Sequence, residues 1–270
     1  MTINPFDLSG RVAVITGGAG LLGLSHARAI HHAGGIPVLL DVSAPPAEQL
    51  RERAGFDIQC LRCDITREEQ LQEALSSIRR RHGRIDILVN NAANNPKVED
   101  ANGLNNSRLE TFPLSQWQAD IAVGLTGAML CSRVFGAEMA CRGKGVIVNI
   151  ASDLALIAPD QRLYAVDGLP DEAQPVKPVS YSVVKTGLIG LTRYLSTYWA
   201  DRGVRVNALC PGGVENGQDA EFLRRIAERI PLGRMATRDE YQGAMLFLCS
   251  DASSYMTGAV LAIDGGRSAW

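Results

Sequence analysis

Short runs dense in Val, Ile and Leu alternate along this chain with longer segments whose apolar residues recur every three to four positions. The first kind reads as strands buried on both faces, and the second as helices that cover them. Strands are predicted over 11–17 (RVAVITG), 36–42 (IPVLLDV), 58–65 (IQCLRCDI), 85–93 (IDILVNNAA), 145–152 (GVIVNIAS), 204–213 (VRVNALCPGG) and, shortest, 259–266 (AVLAIDGG). Helices are predicted over 22–33, 67–82, 117–141, 221–229 and 239–248. The second of these places Leu71, Ala74, Leu75 and Ile78 on one face and has Gly83 as its stop signal.

Strand and helix in regular succession predict an α/β fold, a doubly wound parallel sheet of about seven strands with helices on both faces. This is the Rossmann-type arrangement, here as a single domain over 1–270. Two polar segments, 94–113 and 153–178, are too long for simple connectors. Each follows the carboxyl end of a strand, where open α/β sheets bind their ligands. The second carries Pro159, Pro170, Pro175 and Pro178 among many charged residues.

Composition narrows the partners. With 46% apolar residues in 270, one large core can be buried. Lys and Arg number 27 against 29 Asp and Glu, so no basic field exists to hold a nucleic-acid backbone. No uninterrupted apolar run reaches membrane length and the first residues do not resemble a signal peptide, so a soluble, cytoplasmic protein is expected. Six cysteines are scattered, and only Cys60 and Cys63 form a C-x-x-C, inside a strand with no second pair or nearby histidine; no metal site is expected. The four histidines, His26, His31, His32 and His82, are read as lying on solvated helix faces.

The loop after the first strand, TGGAGLLG from Thr16 to Gly23, has the glycine content that lets a pyrophosphate approach the backbone at a helix N-terminus. Its spacing is ambiguous. Gly17, Gly20 and Gly23 give the G-x-x-G-x-x-G rhythm of nucleotide-sugar epimerases, whereas a G-x-x-x-G-x-G reading puts Leu21 where a glycine is usual. Asp41, at the end of the second strand, can accept hydrogen bonds from an adenosine ribose and would repel a 2′-phosphate. With no Lys or Arg in the loop or at Val42 and Ser43, NAD is favoured over NADP. Farther on, Tyr181 and Lys185 lie four apart in SYSVVKTGLIGL, on one face of a helix. A free phenol titrates at about 10, and an adjacent ammonium lowers it, so the pair suits general acid–base chemistry.

Together and in order, these motifs resemble the short-chain dehydrogenase/reductase family in its small single-domain form. TGGAGLLG, Asp64 in CDI, NNAA at 90–93, Ser152 in VNIAS, Tyr181 with Lys185, PGGV at 211–214 and the closing SSYMTGAVLAIDGG carry the resemblance over nearly the whole chain. It implies that Tyr181 donates or accepts the proton, that Ser152 hydrogen-bonds the reacting oxygen, and that Lys185 binds the nicotinamide ribose and lowers the Tyr181 pKa. It implies a cofactor site formed by Gly17, Gly20, Leu21, Leu22, Gly23 and Asp41, with Asp64 and Ile65 flanking the adenine. Asn91 and Ala92 would line the channel, and Pro211, Gly212 and Val214 would meet the nicotinamide end. The family also implies association into a homodimer or homotetramer.

Three positions depart from the family pattern: Leu21 in the loop, Ala93 at the end of NNAA, and Gly124, seven residues after Trp117, where the family carries an asparagine that helps hold a water linking the lysine to solvent. Ser152 and Tyr181 are 29 residues apart, a longer separation than the family's usual one. The polar character of the intervening chain favours a polyhydroxylated small molecule, a sugar or sugar derivative, although the insert can equally be a solvated or subunit-contacting loop. The insert, with NGLNNSRLETFPLSQW and IDGGRSAW, resembles a branch linked to bacterial surface-sugar and flagellin glycosylation. Two other classes stay open: a nucleotide-sugar epimerase or dehydratase, for which too little chain follows PGG to form a substrate domain, and a non-catalytic NAD(H)-sensing module on the same fold.

Overall fold

The computed structural model describes residues 4–94 and 107–270. Seven parallel strands form one sheet: β1 (Val12–Thr16), β2 (Ile36–Asp41), β3 (Gln59–Arg62), β4 (Ile87–Asn90), β5 (Gly145–Ile150), β6 (Val204–Pro211) and β7 (Val260–Ile263). Their order is β3-β2-β1-β4-β5-β6-β7. Alternate side chains enter opposite faces. Val12 and Val14 of β1 join Leu71, Ile78, Phe135 and Met139 on one side, while Ala13 and Ile15 join Leu24, Met245 and Leu248 on the other. A strand buried on both faces has no polar side, which is why RVAVITG reads as a continuous apolar run.

Chain order reverses between β1 and β4, whose residues pair Ala13↔Ile87, Val14↔Leu88 and Ile15↔Val89. The crevice at the carboxyl ends of these two strands is where such a sheet receives its ligand. The glycine loop follows β1 and NNAA leaves β4, so both motifs arrive at this crevice.

Most predicted helices are present with shifted ends: Leu21–His32, Glu68–His82, Ala220–Ala227 and Gln242–Cys249. Gly83 closes the second with φ +72°. A helix at Ala47–Ala54 is absent from the sequence reading because only Leu50 and Ala54 of it are buried, too few to show a period. The long helix runs over Leu114–Cys141 and contains π-helical turns at Ala122–Thr126 and Ser132–Gly136. By length and composition this helix is long and apolar enough to cross a bilayer, and 56% of its most apolar stretch is buried inside the fold.

Of the two inserts, 94–113 lies largely outside the described residues. The other, 153–178, docks on the rest of the chain through short 3₁₀ turns at Asp153–Ala155, Gln161–Tyr164 and Asp171–Ala173. Leu163 packs with Ile226, Ile230 and Met235, Arg229 Nε donates to Asp160 at 2.6 Å, and Arg225 Nη1 donates to the Ala165 carbonyl at 2.6 Å.

Candidate active site

The glycine loop is built by steric necessity. Gly17 has φ +59°, and a Cβ there would stand 2.9 Å from Ala92 Cα; a Cβ on Gly23 would stand 2.5 Å from the Gly17 carbonyl oxygen. Gly20 is the N-cap of the Leu21–His32 helix and provides no side-chain cap. The first-turn N–H groups, contributed by Leu21, Leu22 and Gly23, therefore face the crevice as an anion site. Leu21 is the first residue of that helix and half-buried. The two spacings of the sequence thus converge on one loop.

Asn91 proves to be a clamp. Its Nδ2 donates to the carbonyls of Thr16 at 3.0 Å and Gly17 at 3.1 Å, while Thr16 Oγ1 accepts the N–H groups of Asn91 and Ala92, both at 3.0 Å. These bonds tie the glycine loop to the end of β4. Asp41 Oδ2 accepts Ala19 N–H at 3.1 Å and Oδ1 accepts Ser43 N–H and Oγ–H, each at 3.1 Å. Arginine, absent from the loop itself, reaches it from the helix that the sequence reading lacked: Arg53 Nη2 donates to the Ala19 carbonyl at 2.6 Å. Asp64 accepts Thr66 Oγ–H at 2.7 Å, the main cause of its lowered pKa. Ile65 points its side chain into the core against Gly127, leaving its backbone toward the crevice. Gly212 donates to the Ile263 carbonyl and accepts the Tyr241 hydroxyl, both at 2.9 Å, and Val214 bridges to Ala236, so the turn after Pro211 is held in place. The steric demand for glycine, the uncapped helix end and the acid at the end of β2 fit a dinucleotide.

Ser152 follows β5 and is 4% exposed; Tyr181 and Lys185 occupy the first two turns of the Val179–Tyr198 helix. Lys185 Nζ donates to the Ile150 carbonyl at 2.7 Å and lies 5.8 Å from the Tyr181 ring centroid. On the same ring, Lys177 Nζ lies 3.9 Å from the centroid. Burial pushes Lys185 down to about 8, Lys177 adding to the fall and Cys210 opposing it. Burial also raises the Tyr181 phenol, opposed by the hydrogen bond with Ser152 and reinforced by the Asp153 charge. Burial is the largest cause, so the phenol lies above its ordinary value in the free protein.

At Gly124 a Cβ would lie 2.4 Å from Val184 Cγ1, so the valine occupies the space an asparagine would need. One turn earlier, buried Asp120 accepts Ser180 Oγ–H at 2.5 Å, Gln116 Nε2–H at 2.7 Å and Asn94 Nδ2–H at 3.2 Å. A cavity of about 10 Å³, room for one water, is lined by Asp120, Gly124, Ser180, Tyr181 and Lys185, together with Ala93 and Asn94. The buried polar function in this region is thus carried by an aspartate that the sequence reading passed over.

Sequence reasoning also missed the ion pair beneath Ser152. Asp153 Oδ1 accepts Ser152 Oγ–H and Leu154 N–H, each at 2.8 Å, and Asp153 Oδ2 accepts Arg267 Nη1 at 2.7 Å. No spacing signal could show this, since 114 residues separate the partners. His26 corrects the reading of solvated histidines: it is 1% exposed, neither ring nitrogen has a hydrogen-bond partner, and burial lowers it to about 4. Among the described residues no group of three His, Cys, Asp or Glu could hold a metal, and Cys60 and Cys63 are free thiols raised to about 11 by burial.

Known proteins share this pattern. Residues 11–165 match the family described as short chain dehydrogenase, and 171–268 match that described as enoyl-(acyl carrier protein) reductase. A D-threitol dehydrogenase of Mycolicibacterium smegmatis is 34% identical, over 97% of this chain and 94% of its own. An NAD-dependent glycerol dehydrogenase of Listeria innocua is 30% identical, over 97% and 95%. Among solved structures, a gluconate 5-dehydrogenase of Burkholderia cenocepacia in complex with NADP and tartrate superposes with TM-score 0.83 at 30% identity, covering 98% of each chain. The narrower resemblance to surface-sugar and flagellin glycosylation enzymes finds no support in these relatives. With a family match over more than half its length and relatives covering nearly all of it, the chain belongs to the short-chain dehydrogenase family.

Proposed function

We propose that this protein is an NAD-dependent dehydrogenase of polyhydroxylated secondary alcohols, with Tyr181 as general acid and base. The observation that carries the reading is the convergence of Ser152, Tyr181 and Lys185 at the carboxyl edge of the sheet, beside a loop suited to a pyrophosphate. Polyol activity is supported by the D-threitol and glycerol dehydrogenases among the relatives and by the hydrophilic insert that begins at Asp153, bonded to Ser152.

Bound nicotinamide would supply the hydride exchange. The phenolate of Tyr181 takes the hydroxyl proton of the substrate in the oxidative direction, and the phenol returns it in reduction. Ser152 holds the reacting oxygen, and Lys185, fixed by the Ile150 carbonyl, presents an ammonium that favours the phenolate. Asp41 is the basis for preferring NAD; Arg53, engaged with Ala19, is the nearby cation that a 2′-phosphate would have to recruit. We further propose a cytoplasmic homodimer or homotetramer, on the family resemblance.

The test is NADH formation at 340 nm with D-threitol, glycerol, galactitol and xylitol. Tyr181→Phe should lower kcat by at least about 10²-fold, the lower range for a positioned acid–base group, with NAD binding retained. NAD binding without turnover on any polyol or sugar would instead favour the sensing module.

A further inference from the structure

Resting on the polyol reading, we propose that Asp153, anchored by Arg267, is a specificity-determining residue that selects alcohols bearing a second hydroxyl on the carbon next to the reacting one.

Ser152 owns one hydroxyl proton and two lone pairs. In the free protein that proton is committed to Asp153 Oδ1 at 2.8 Å, while Ser152 Oγ accepts Leu154 N–H at 3.2 Å and hydrogen-bonds with the Tyr181 phenol. To donate to a reacting oxygen, Ser152 must withdraw its proton from Asp153. That carboxylate is 3% exposed, and its other oxygen already accepts from Arg267, itself 9% exposed. Withdrawal leaves Oδ1, on a residue only 3% exposed, with the Leu154 N–H alone, which is unfavourable unless another donor arrives.

A vicinal diol brings that donor. Its two oxygens, in the gauche arrangement, are about one hydrogen-bond length apart, as are Ser152 Oγ and Asp153 Oδ1. One substrate oxygen can accept from Ser152 while the neighbouring hydroxyl donates to Asp153, and every donor and acceptor stays matched. An alcohol with a single hydroxyl leaves the carboxylate short of a donor or the reacting oxygen short of Ser152. Asp153 faces this space: its charge acts on Tyr181, on Lys177 above the Tyr181 ring and on Tyr164 of the insert. Arg267 Nη1, bonded to Oδ2, orients the carboxylate.

The test pairs two alcohols of one carbon skeleton, 2,3-butanediol and 2-butanol. The unmodified protein should prefer the diol by at least about tenfold in kcat/KM, the discrimination expected of one matched hydrogen bond. Asp153→Asn should bring the ratio toward unity, because the amide no longer demands two donors. Should this variant fold poorly, Asp153→Ala/Arg267→Met removes both charges together and should show the same loss of preference. A diol preference unchanged in these variants overturns the proposal, as does absence of preference in the unmodified protein. If neither alcohol is oxidised, the polyol reading fails first, and ligand binding decides: a thermal shift produced by 2,3-butanediol, not by 2-butanol, and lost in Asp153→Asn supports the site, whereas equal shifts overturn it.

Discussion

Placing a methyl group at Gly124 tests whether Val184 has displaced the family's asparagine. A Cβ at 124 would stand 2.4 Å from Val184 Cγ1, and Val184 is 4% exposed on the packed Val179–Tyr198 helix. A β-branched side chain in a helix has one strongly preferred χ1, so the valine cannot swing aside cheaply. Overpacking of this kind costs about 1–3 kcal/mol. Alanine in place of a helical glycine gains about 1 kcal/mol of intrinsic propensity.

 The net effect of Gly124→Ala alone is therefore a loss of about 0–2 kcal/mol, too broad to decide anything. The coupling with Val184→Ala is sharper: removing Cγ1 abolishes the clash and keeps the propensity gain, so the double variant should be more stable than the sum of the singles by about 1–3 kcal/mol. Urea denaturation with linear extrapolation measures it, provided the m-values agree across the cycle. A coupling below about 0.5 kcal/mol would refute the steric account.

Further outcomes follow from other buried groups. His26 titrates at 6.5 when unfolded and at about 4 in the fold; the unfolded chain binds the proton first, so stability falls on acidification. The loss should be about 2 kcal/mol between pH 7 and pH 5 in wild-type denaturation curves, and absent in His26→Leu. Cys141 is exposed, whereas burial raises Cys60, Cys63 and Cys210 to about 11 and Cys249 to about 12. Peptide mapping after iodoacetamide treatment of the native protein at neutral pH should find Cys141 alkylated first, and faster labelling of Cys60 or Cys63 would contradict the packing. Asp41→Ser removes the carboxylate while leaving Arg53 beside the loop and Arg62 opposite in register. It should shift the kcat/KM ratio of NADP to NAD upward by about tenfold or more, and an unchanged ratio would remove Asp41 from cofactor choice.

Much of the architecture was legible in the chain because a parallel sheet leaves a local trace. The inner strands β1, β4, β5 and β6 are buried on both faces and so stand out as short apolar runs, whereas the edge strands β3 and β7 are only partly buried; the glycines that a tight loop demands stand beside β1. The Ala47–Ala54 helix left almost no such trace, since a surface helix that buries two residues has no period to read. The proposed catalytic trio was visible for a different reason: Tyr181 and Lys185 are one helical turn apart, and Ser152 closely follows a strand.

What the sequence by itself determined is what local periodicity and spacing encode: the alternation of elements, the glycine loop after β1, the acid at the end of β2 and the spacing of Tyr181 with Lys185. Only the tertiary structure decided what surrounds them. Arg53 arrives at the glycine loop from another helix, Val184 fills the place opposite Gly124, and Arg267 returns from the last turn of the chain to hold Asp153 under Ser152. Burial also reversed an expectation that spacing alone supported, by raising the Tyr181 phenol in the free protein. Contacts between residues far apart in the chain, and the desolvation they impose, depend on packing, and no local pattern records them.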